Sequence, residues 1–213
     1  MDYIIQLLKS RPETLELLGR LWEILYIEGS TPDIGKRREH IIRTLLEMEF
    51  GLKVIPAPPM ERDWDFQVIL DENRRQSYSL NTTETITTLK VAWNGFPSLE
   101  RARKFEFKYP ILYVTASRKE KEISVYVFEI EDLEFLKMEI GDDIWWIPRS
   151  GTNPRGFGIN TQSVKRLMEM AKAKGNAITK KYTPINMESL KREYWKKWYN
   201  LLKDLALKYV VDF

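Results

Sequence analysis

The sequence predicts an α/β protein in which a mixed β-sheet is covered by helices. Apolar residues recur at helical spacing near the N-terminus and again from residue 161 onward. The middle of the chain instead holds short apolar runs separated by polar or glycine-containing turns, as strands do. Helices, then strands, then helices are typical of a sheet packed between helical layers.

The N-terminal region predicts helices before the first strand. Apolar residues from Leu7 to Leu25 fit one or two helices, with Pro12 tolerated in a first turn. A break at residues 29–33 supplies capping residues. The next helix runs from Ile34 to Phe50, because Gly51 can adopt the left-handed conformation that ends a helix.

The middle of the chain predicts most of the sheet. Asp65 opens a strand over 66–70, and residues 77–83 form its return strand after a polar turn. Further strands are expected at 86–93, 111–114, 123–130 and 144–147, with a short basic helix at 98–105. A glycine-rich loop over 149–160 precedes helices at 161–174 and 187–208.

Composition limits the chemistry of the protein. The chain has no cysteine, which excludes thiol catalysis, disulfides and cysteine-ligated zinc. It has one histidine, His40. Any metal must be held mainly by carboxylates and carbonyls, which favours a hard cation such as Mg2+. No apolar run is long enough to cross a membrane, and the N-terminus lacks a signal-peptide layout. We therefore expect a cytoplasmic protein without a membrane partner.

The charge distribution allows a nucleic-acid partner without proving one. The net charge of +3 is too small to be diagnostic. Basic clusters are nevertheless separated from an acidic segment over 129–143, which permits one positive face. The basic clusters include 36–38, 101–104, 172–181 and 191–197.

Four stretches, in the same order and spacing, resemble EcoRV-like type II restriction endonucleases of the PD-(D/E)xK nuclease superfamily. Gly51 to Phe66 is similar to the run from a helix-capping glycine to Pro-Asp-Phe, and Ser79-Leu-Asn-Thr-Thr resembles Asp-Ile-Lys-Thr-Thr. Residues 89–98, which follow, resemble a segment of the family that contains lysine and glycine. Residues 150–159 resemble the recognition loop, and 173–178 with 188–199 resemble the C-terminal turn and helix. The similarity covers residues 33–200.

This resemblance implies a restriction-endonuclease-like mixed central sheet flanked by helices, in one domain over residues 1–213. The catalytic core would occupy about 33–130, and the recognition loop and C-terminal helices about 144–213. It also implies a homodimer that cuts double-stranded DNA at a short palindrome with Mg2+. A palindromic DNA site has twofold symmetry, and a homodimer has the matching twofold symmetry.

The expected catalytic residues surround the return strand. Asp65 is the first-choice metal ligand, with Glu39 or else Glu47 as an outer carboxylate. Residues 79 and 81 point to the same face of a strand, so Ser79 and Asn81 should face Asp65. By resemblance they stand where an acid and a lysine are expected.

Three explanations of this departure stay open. Lys90 or Glu84 completes the site, or the protein is a degenerate or inactivated nuclease that still binds DNA, or the resemblance is accidental. The literal Glu-x-Lys at Glu106 and Lys108 is interpreted as incidental, because it lies far after Asp65 and would serve the next strand.

The expected DNA contacts fall into three groups. Short polar side chains in the glycine-rich loop suit the major groove, and the resemblance places residues 59–62 at the minor groove. Basic residues would contact phosphates. The predicted DNA-binding residues are Arg149, Ser150, Gly151, Thr152, Asn153 and Arg155, then Met60 and Arg62, then Lys36, Arg37 and Arg38, with Thr82 and Thr83 at the strand end; Arg101, Arg103 and Lys104 are further phosphate candidates.

Aromatic residues near the C-terminal end are interpreted as core. Tyr194, Trp195, Trp198 and Tyr199 have a helical spacing that is more often a core-facing stripe than a base-stacking platform. One ring of the Trp145-Trp146 pair is likewise expected in the core.

Overall fold

A six-stranded mixed sheet lies at the centre of the computed structural model, which describes residues 1–26, 33–61, 63–148 and 155–208, the last four by their backbone only. The helices are α1 (Tyr3–Ser10), α2 (Glu13–Ile24), α3 (Ile34–Phe50), α4 (Leu99–Arg103), α5 (Ile130–Ile140), α6 (Thr161–Ala173) and α7 (Met187–Lys208). The strands are β1 (Lys53–Pro56), β2 (Phe66–Ile69), β3 (Arg75–Thr83), β4 (Leu89–Ala92), β5 (Ile111–Ser117), β6 (Glu122–Phe128), β7 (Trp145–Trp146), β8 (Phe157–Ile159) and β9 (Ala177–Lys181).

The sheet order is β1-β2-β3-β5-β6-β9, and a separate small sheet has the order β4-β8-β7. Strands β3 and β5 pair in parallel, whereas the other neighbours in the large sheet are antiparallel. The parallel pairing needs a crossover, which the segment carrying β4 and α4 provides. The α/β class with a mixed sheet between helices is therefore confirmed.

Two hydrophobic cores lie on the two faces of this sheet. Alternate residues of β5 enter opposite cores: Leu112 and Val114 join the core under α1–α3, whereas Ile111 and Tyr113 join the core that includes α5 and α6. This alternation follows from the period of two along a strand. It also fixes the face of β3, since Ser79 is paired with Ile111.

Local signals placed several elements correctly. The N-terminal apolar run forms two helices, α1 and α2, with Pro12 immediately before the second. Helix α3 ends at Phe50, and Gly51 has a φ of 64°, as the cap requires. The bounds of α7 agree with the sequence expectation.

Other expectations were wrong. The acidic segment, for which no element was predicted, contains α5, which buries Leu133 and Leu136. The predicted loop over 149–160 includes β8, and its Gly158 permits a close backbone approach, because an added Cβ would lie 2.4 Å from the Leu89 carbonyl oxygen. The strand expected at 86–93 is only the four-residue β4, and β9 was not expected.

The aromatic residues divide differently from the expectation. Trp145 is buried, as predicted for one ring of its pair. The core-facing stripe predicted on α7 is wrong, because Trp195, Trp198 and Tyr199 are all exposed. In the described part of the chain, no helix is both long enough and apolar enough to cross a lipid bilayer.

Candidate active site

The start of the β2–β3 hairpin positions Asp65. Its backbone N–H donates to the Tyr78 carbonyl at 2.8 Å, and the buried ring of the adjacent Phe66 stacks on Tyr78. Asp65 Oδ2 accepts a hydrogen bond of 2.6 Å from the Leu80 backbone N–H and one of 3.4 Å from Ser79 Oγ. The hairpin therefore brings Asp65 and Ser79 together and fixes the orientation of the carboxylate through one oxygen.

Asp65 lies at the junction of two clefts. One, of about 540 Å3, is lined by Asp65 together with Ser79 and Trp93. The other, of about 370 Å3, is lined by Asp65 together with Glu39 and Arg43. The two predicted metal ligands, Asp65 and Glu39, thus share a cleft. The alternative ligand Glu47 is not among the residues lining either cleft.

Both carboxyl groups have raised pKa values. Burial raises the pKa of Asp65, while hydrogen bonds from Leu80 and Ser79 partly oppose the rise. Burial also raises the pKa of Glu39; Arg43 lowers it, and the nearby Asp65 charge raises it again. Arg43 Nε lies 3.5 Å from Glu39 Oε1 as an ion pair, although this buried Nε makes no hydrogen bond with the described residues.

The Asn81 side chain is directed toward β4. Its Nδ2 donates to the Lys90 carbonyl oxygen at 3.4 Å. The Lys90 ammonium lies 4.7 Å from the centroid of the Trp93 ring, and Trp93 lines the larger cleft. Lys90 therefore adjoins the cleft that contains Asp65, and its catalytic role stays a prediction.

The structure brings Glu106 and Lys108 to the wall of the larger cleft. The Ser79 backbone N–H donates to the Pro110 carbonyl at 3.0 Å, so the segment leading into β5 passes the start of β3. Lys108 forms an exposed 2.6 Å ion pair with Asp63 on the same wall. Glu106 and Lys108 are far from Asp65 in sequence, and the parallel β3–β5 pairing that brings them close to it is non-local. The sequence therefore did not reveal that they lie near Asp65.

Glu84 and Arg38 are engaged with each other instead of the clefts. Arg38 Nη2 lies 2.8 Å from Glu84 Oε1, and its side chain is only 11% exposed. Arg118 pairs with the other Glu84 oxygen at 3.0 Å. Each of these charges already has a partner, and neither Glu84 nor Arg38 is among the residues lining the two clefts, which argues against both roles. Arg38 as a phosphate contact stays a prediction.

The remaining basic candidates differ in availability. Lys36 and Arg37 are exposed at the start of α3, and Lys36 lines the smaller cleft. Arg103 pairs with Asp142, and Lys104 pairs with Glu100. Arg101 donates to the carbonyl oxygens of Phe96 and Asn94. The side chains of Arg101, Arg103 and Lys104 are thus engaged in local contacts with neighbouring residues of the protein.

The other predicted DNA contacts are only partly described. Met60 is 80% exposed, and Arg155, in the predicted recognition loop, is also exposed. Thr82 is half-buried, and Thr83 Oγ1 donates to the Thr85 carbonyl at 2.5 Å. Arg62 and the loop residues Arg149, Ser150, Gly151, Thr152 and Asn153 lie outside the described residues.

The donor set fits Mg2+ in one particular way. Within the ranges that the structure describes, no group of three or more Asp, Glu, His or Cys side chains could hold a metal ion. Mg2+ nevertheless commonly binds through one or two carboxylates together with waters and substrate phosphates. Both Asp65 hydrogen bonds use Oδ2, and Oδ1 accepts none among the described residues. Asp65 and Glu39 therefore suit a cation shared with a phosphate.

Comparison with known proteins identifies the fold. No protein-family model matches the chain, and no curated protein matches its sequence. The structure is similar to a solved restriction endonuclease in complex with substrate DNA, with a TM-score of 0.68 and 21% identity over 95% of this chain and 100% of the other. The chain has a restriction-endonuclease-like fold. At this identity the similarity establishes the fold alone.

The raised carboxyl pKa values predict a pH-dependent metal requirement. Both Asp65 and Glu39 must lose their protons to bind a cation, and burial makes that loss occur at higher pH than for an exposed carboxylate. As pH falls from about 8 to 5, the affinity of these two carboxylates for Mg2+ should therefore fall. Calorimetric titrations with Mg2+ at several pH values measure this, and a dissociation constant that does not change with pH would contradict it.

Proposed function

We propose that the protein is a type II restriction endonuclease that hydrolyses double-stranded DNA at a short palindrome with Mg2+. The observation that supports this most is the position of Asp65 at the start of β2, beside Ser79 and sharing a cleft with Glu39. Its setting in a restriction-endonuclease-like fold adds to that support. We further propose that it acts as a homodimer in the cytoplasm.

The proposed mechanism assigns a task to each group. Asp65 and Glu39 would hold Mg2+ jointly with a phosphate of the DNA. When bound, the cation lowers the pKa of a water nucleophile and neutralises phosphate charge. The Leu80 N–H and Ser79 hydroxyl hold the Asp65 carboxylate in one orientation. Lys36 and Arg37 would contact phosphates, and the lysine role of the family would fall to Lys90.

Plasmid digestion tests this function. Discrete bands with Mg2+ or Mn2+, and none with EDTA, are the expected result. A gel shift without cleavage would favour a DNA-binding protein instead, and cleavage of branched DNA alone would favour a junction or repair nuclease of the same fold. If the protein shows no cleavage and no DNA binding in any of these assays, the proposal is rejected.

A catalytically silent DNA-binding protein of the same fold is the second candidate. It is favoured by the absence of a group of three acidic ligands in the described chain. The Asn81 amide, bonded to the Lys90 carbonyl, also carries no charge to replace a lysine. A Ser79→Asp, Asn81→Lys variant restores both family residues and separates the candidates. If the wild type does not cleave DNA and the double variant does, the natural site is a disabled one.

For an active enzyme, Ser79→Asp alone should strengthen metal binding. The new carboxylate would lie beside Asp65, where Ser79 Oγ now lies 3.4 Å from Oδ2. A third anionic ligand should lower the Mg2+ concentration for half-maximal cleavage by about tenfold. The matched control is Ser79→Asn, which has a similar shape without the charge. An equal effect of both substitutions would show that charge at this position is irrelevant.

A further inference from the structure

Helix α7 exposes one large apolar face. The face consists of Trp195, Trp198, Tyr199, Leu201 and Leu202, whose exposed fractions lie between 43% and 67%. None of the residues 187–204 is buried, so this part of the helix packs little against the rest of the described chain. Exposed apolar surface of this extent marks an interaction site more often than chance.

The residues of this face are arranged as a helix-packing surface. Trp195, Trp198 and Leu202 recur at i, i+3 and i+7, the spacing of a seam between two helices. The Tyr194 ring makes edge contacts with Trp195 and Trp198 at centroid distances of 5.4 and 6.2 Å, which places the rings in one cluster. Polar residues such as Lys196 and Asn200 occupy the opposite side of the helix.

We propose that the α7 face pairs with the same face of a second copy of this chain. Five side chains exposed to this degree present on the order of 500 Å2 per protomer. A symmetric pair would then bury about 1,000 Å2, the lower limit for a specific interface. A twofold axis near Trp198 makes the face complementary to itself, placing Trp195 of one copy near Leu201 of the other.

Charges on the same side of α7 favour a protein partner over a lipid surface. Glu188 and Lys191 lie one to two turns before Trp195 on this side and interrupt the apolar stripe. A protein interface can leave such charges at its hydrated rim, whereas an interfacial helix buries its whole apolar face in lipid. The choice of a second copy rests in part on the proposed function, because a palindromic site requires twofold protein.

Light scattering of the full chain without DNA tests this inference. The expected mass is twice the 25.3 kDa of one chain, and a Trp198→Lys, Leu202→Lys variant should return it to 25.3 kDa with unchanged circular dichroism. The control is Phe135→Lys, Met138→Lys on α5, which changes two apolar residues that are at least as exposed as Trp198 and should stay dimeric. A monomeric wild-type chain, or an α7 variant that stays dimeric, overturns the proposal.

Two further measurements separate this inference from the proposed function. Sedimentation of a monomeric wild-type chain with anionic phospholipid vesicles would assign the face to lipid and overturn the proposal. If the wild-type chain is dimeric and the α7 variant is monomeric, but neither cleaves DNA, the α7 interface is confirmed and the proposed nuclease function is wrong. With both correct, the α7 variant should lose double-strand cleavage and retain only slow nicking.

Discussion

Asp65→Asn should reduce DNA cleavage by at least about 100-fold while leaving the fold intact. The substitution keeps the size and polarity of the side chain but removes the charge that a hard cation requires. Because burial raises the pKa of Asp65, the folded protein already disfavours the ionised form. The free energy of unfolding of the variant at neutral pH should therefore equal or exceed that of the wild type.

The control for this prediction is Asp63→Asn, the same chemical change two residues earlier. Asp63 forms an exposed ion pair with Lys108, and exposed pairs contribute little to stability. Cleavage and stability of this variant should both stay close to wild type. Equal cleavage by Asp65→Asn and wild type would show that the chemistry lies elsewhere. Unfolding of the Asp65 variant, measured by thermal denaturation, would show a structural role instead.

Lys121→Met should lower the free energy of unfolding by about 1–2 kcal/mol near neutral pH, less than for a fully buried pair because the Lys121 side chain is 39% exposed. Glu23 is only 5% exposed, and its carboxylate is paired with the Lys121 ammonium. It also accepts hydrogen bonds from the Tyr182 hydroxyl at 3.3 Å and the Ile185 backbone N–H at 3.0 Å. Removing the lysine leaves a buried carboxylate without its counter-charge, although the hydrogen bonds from Tyr182 and Ile185 remain.

The pH dependence of this effect follows from the pKa of Glu23. Burial raises that pKa, but Lys121, Ile185 and Tyr182 together lower it below the ordinary value of 4.5. A lowered pKa in the folded state stabilises the protein above about pH 4.5, and this contribution is lost as pH falls through the folded-state pKa. The deficit of Lys121→Met should therefore shrink in acid, where Glu23 becomes protonated.

Urea denaturation measures this deficit against a close control. Lys119→Met makes the same change in the same turn, where the side chain is 92% exposed, and should cost less than about 0.5 kcal/mol. Adding Glu23→Gln to Lys121→Met should recover part of the loss, because it removes the uncompensated charge. A double variant that is less stable than Lys121→Met would contradict this account.

Local sequence signals were enough to place the first half of the candidate site. A glycine after α3, an alternating strand after Asp65 and a polar turn before β3 each depend on neighbouring residues alone. The period of two then put Ser79 and Asn81 on one face, and the structure places Ser79 against Asp65. These are the parts of the fold in which short-range preference and final packing agree.

Long-range pairing decided what the sequence did not reveal. Glu106 and Lys108 reach the cleft because β3 and β5 pair in parallel across a crossover, which no local pattern specifies. Arg38 was predicted at phosphate because it is basic and helical, yet its partner Glu84 lies 46 residues away in sequence. The apolar stripe of α7 was read correctly as helical, but spacing alone does not tell whether a protein's own core or another molecule covers it.

Metal-directed cleavage of the polypeptide tests the proposed cation site most directly. Fe2+ with ascorbate and hydrogen peroxide, substituted for Mg2+ in the presence of bound DNA, generates radicals that cut the backbone close to the metal. Cuts are expected near residues 39, 65 and 79, and they should be suppressed by excess Mg2+ and missing in Asp65→Asn. Cuts confined to another region, such as the acidic segment over 129–143, would contradict a metal site shared by Asp65 and Glu39.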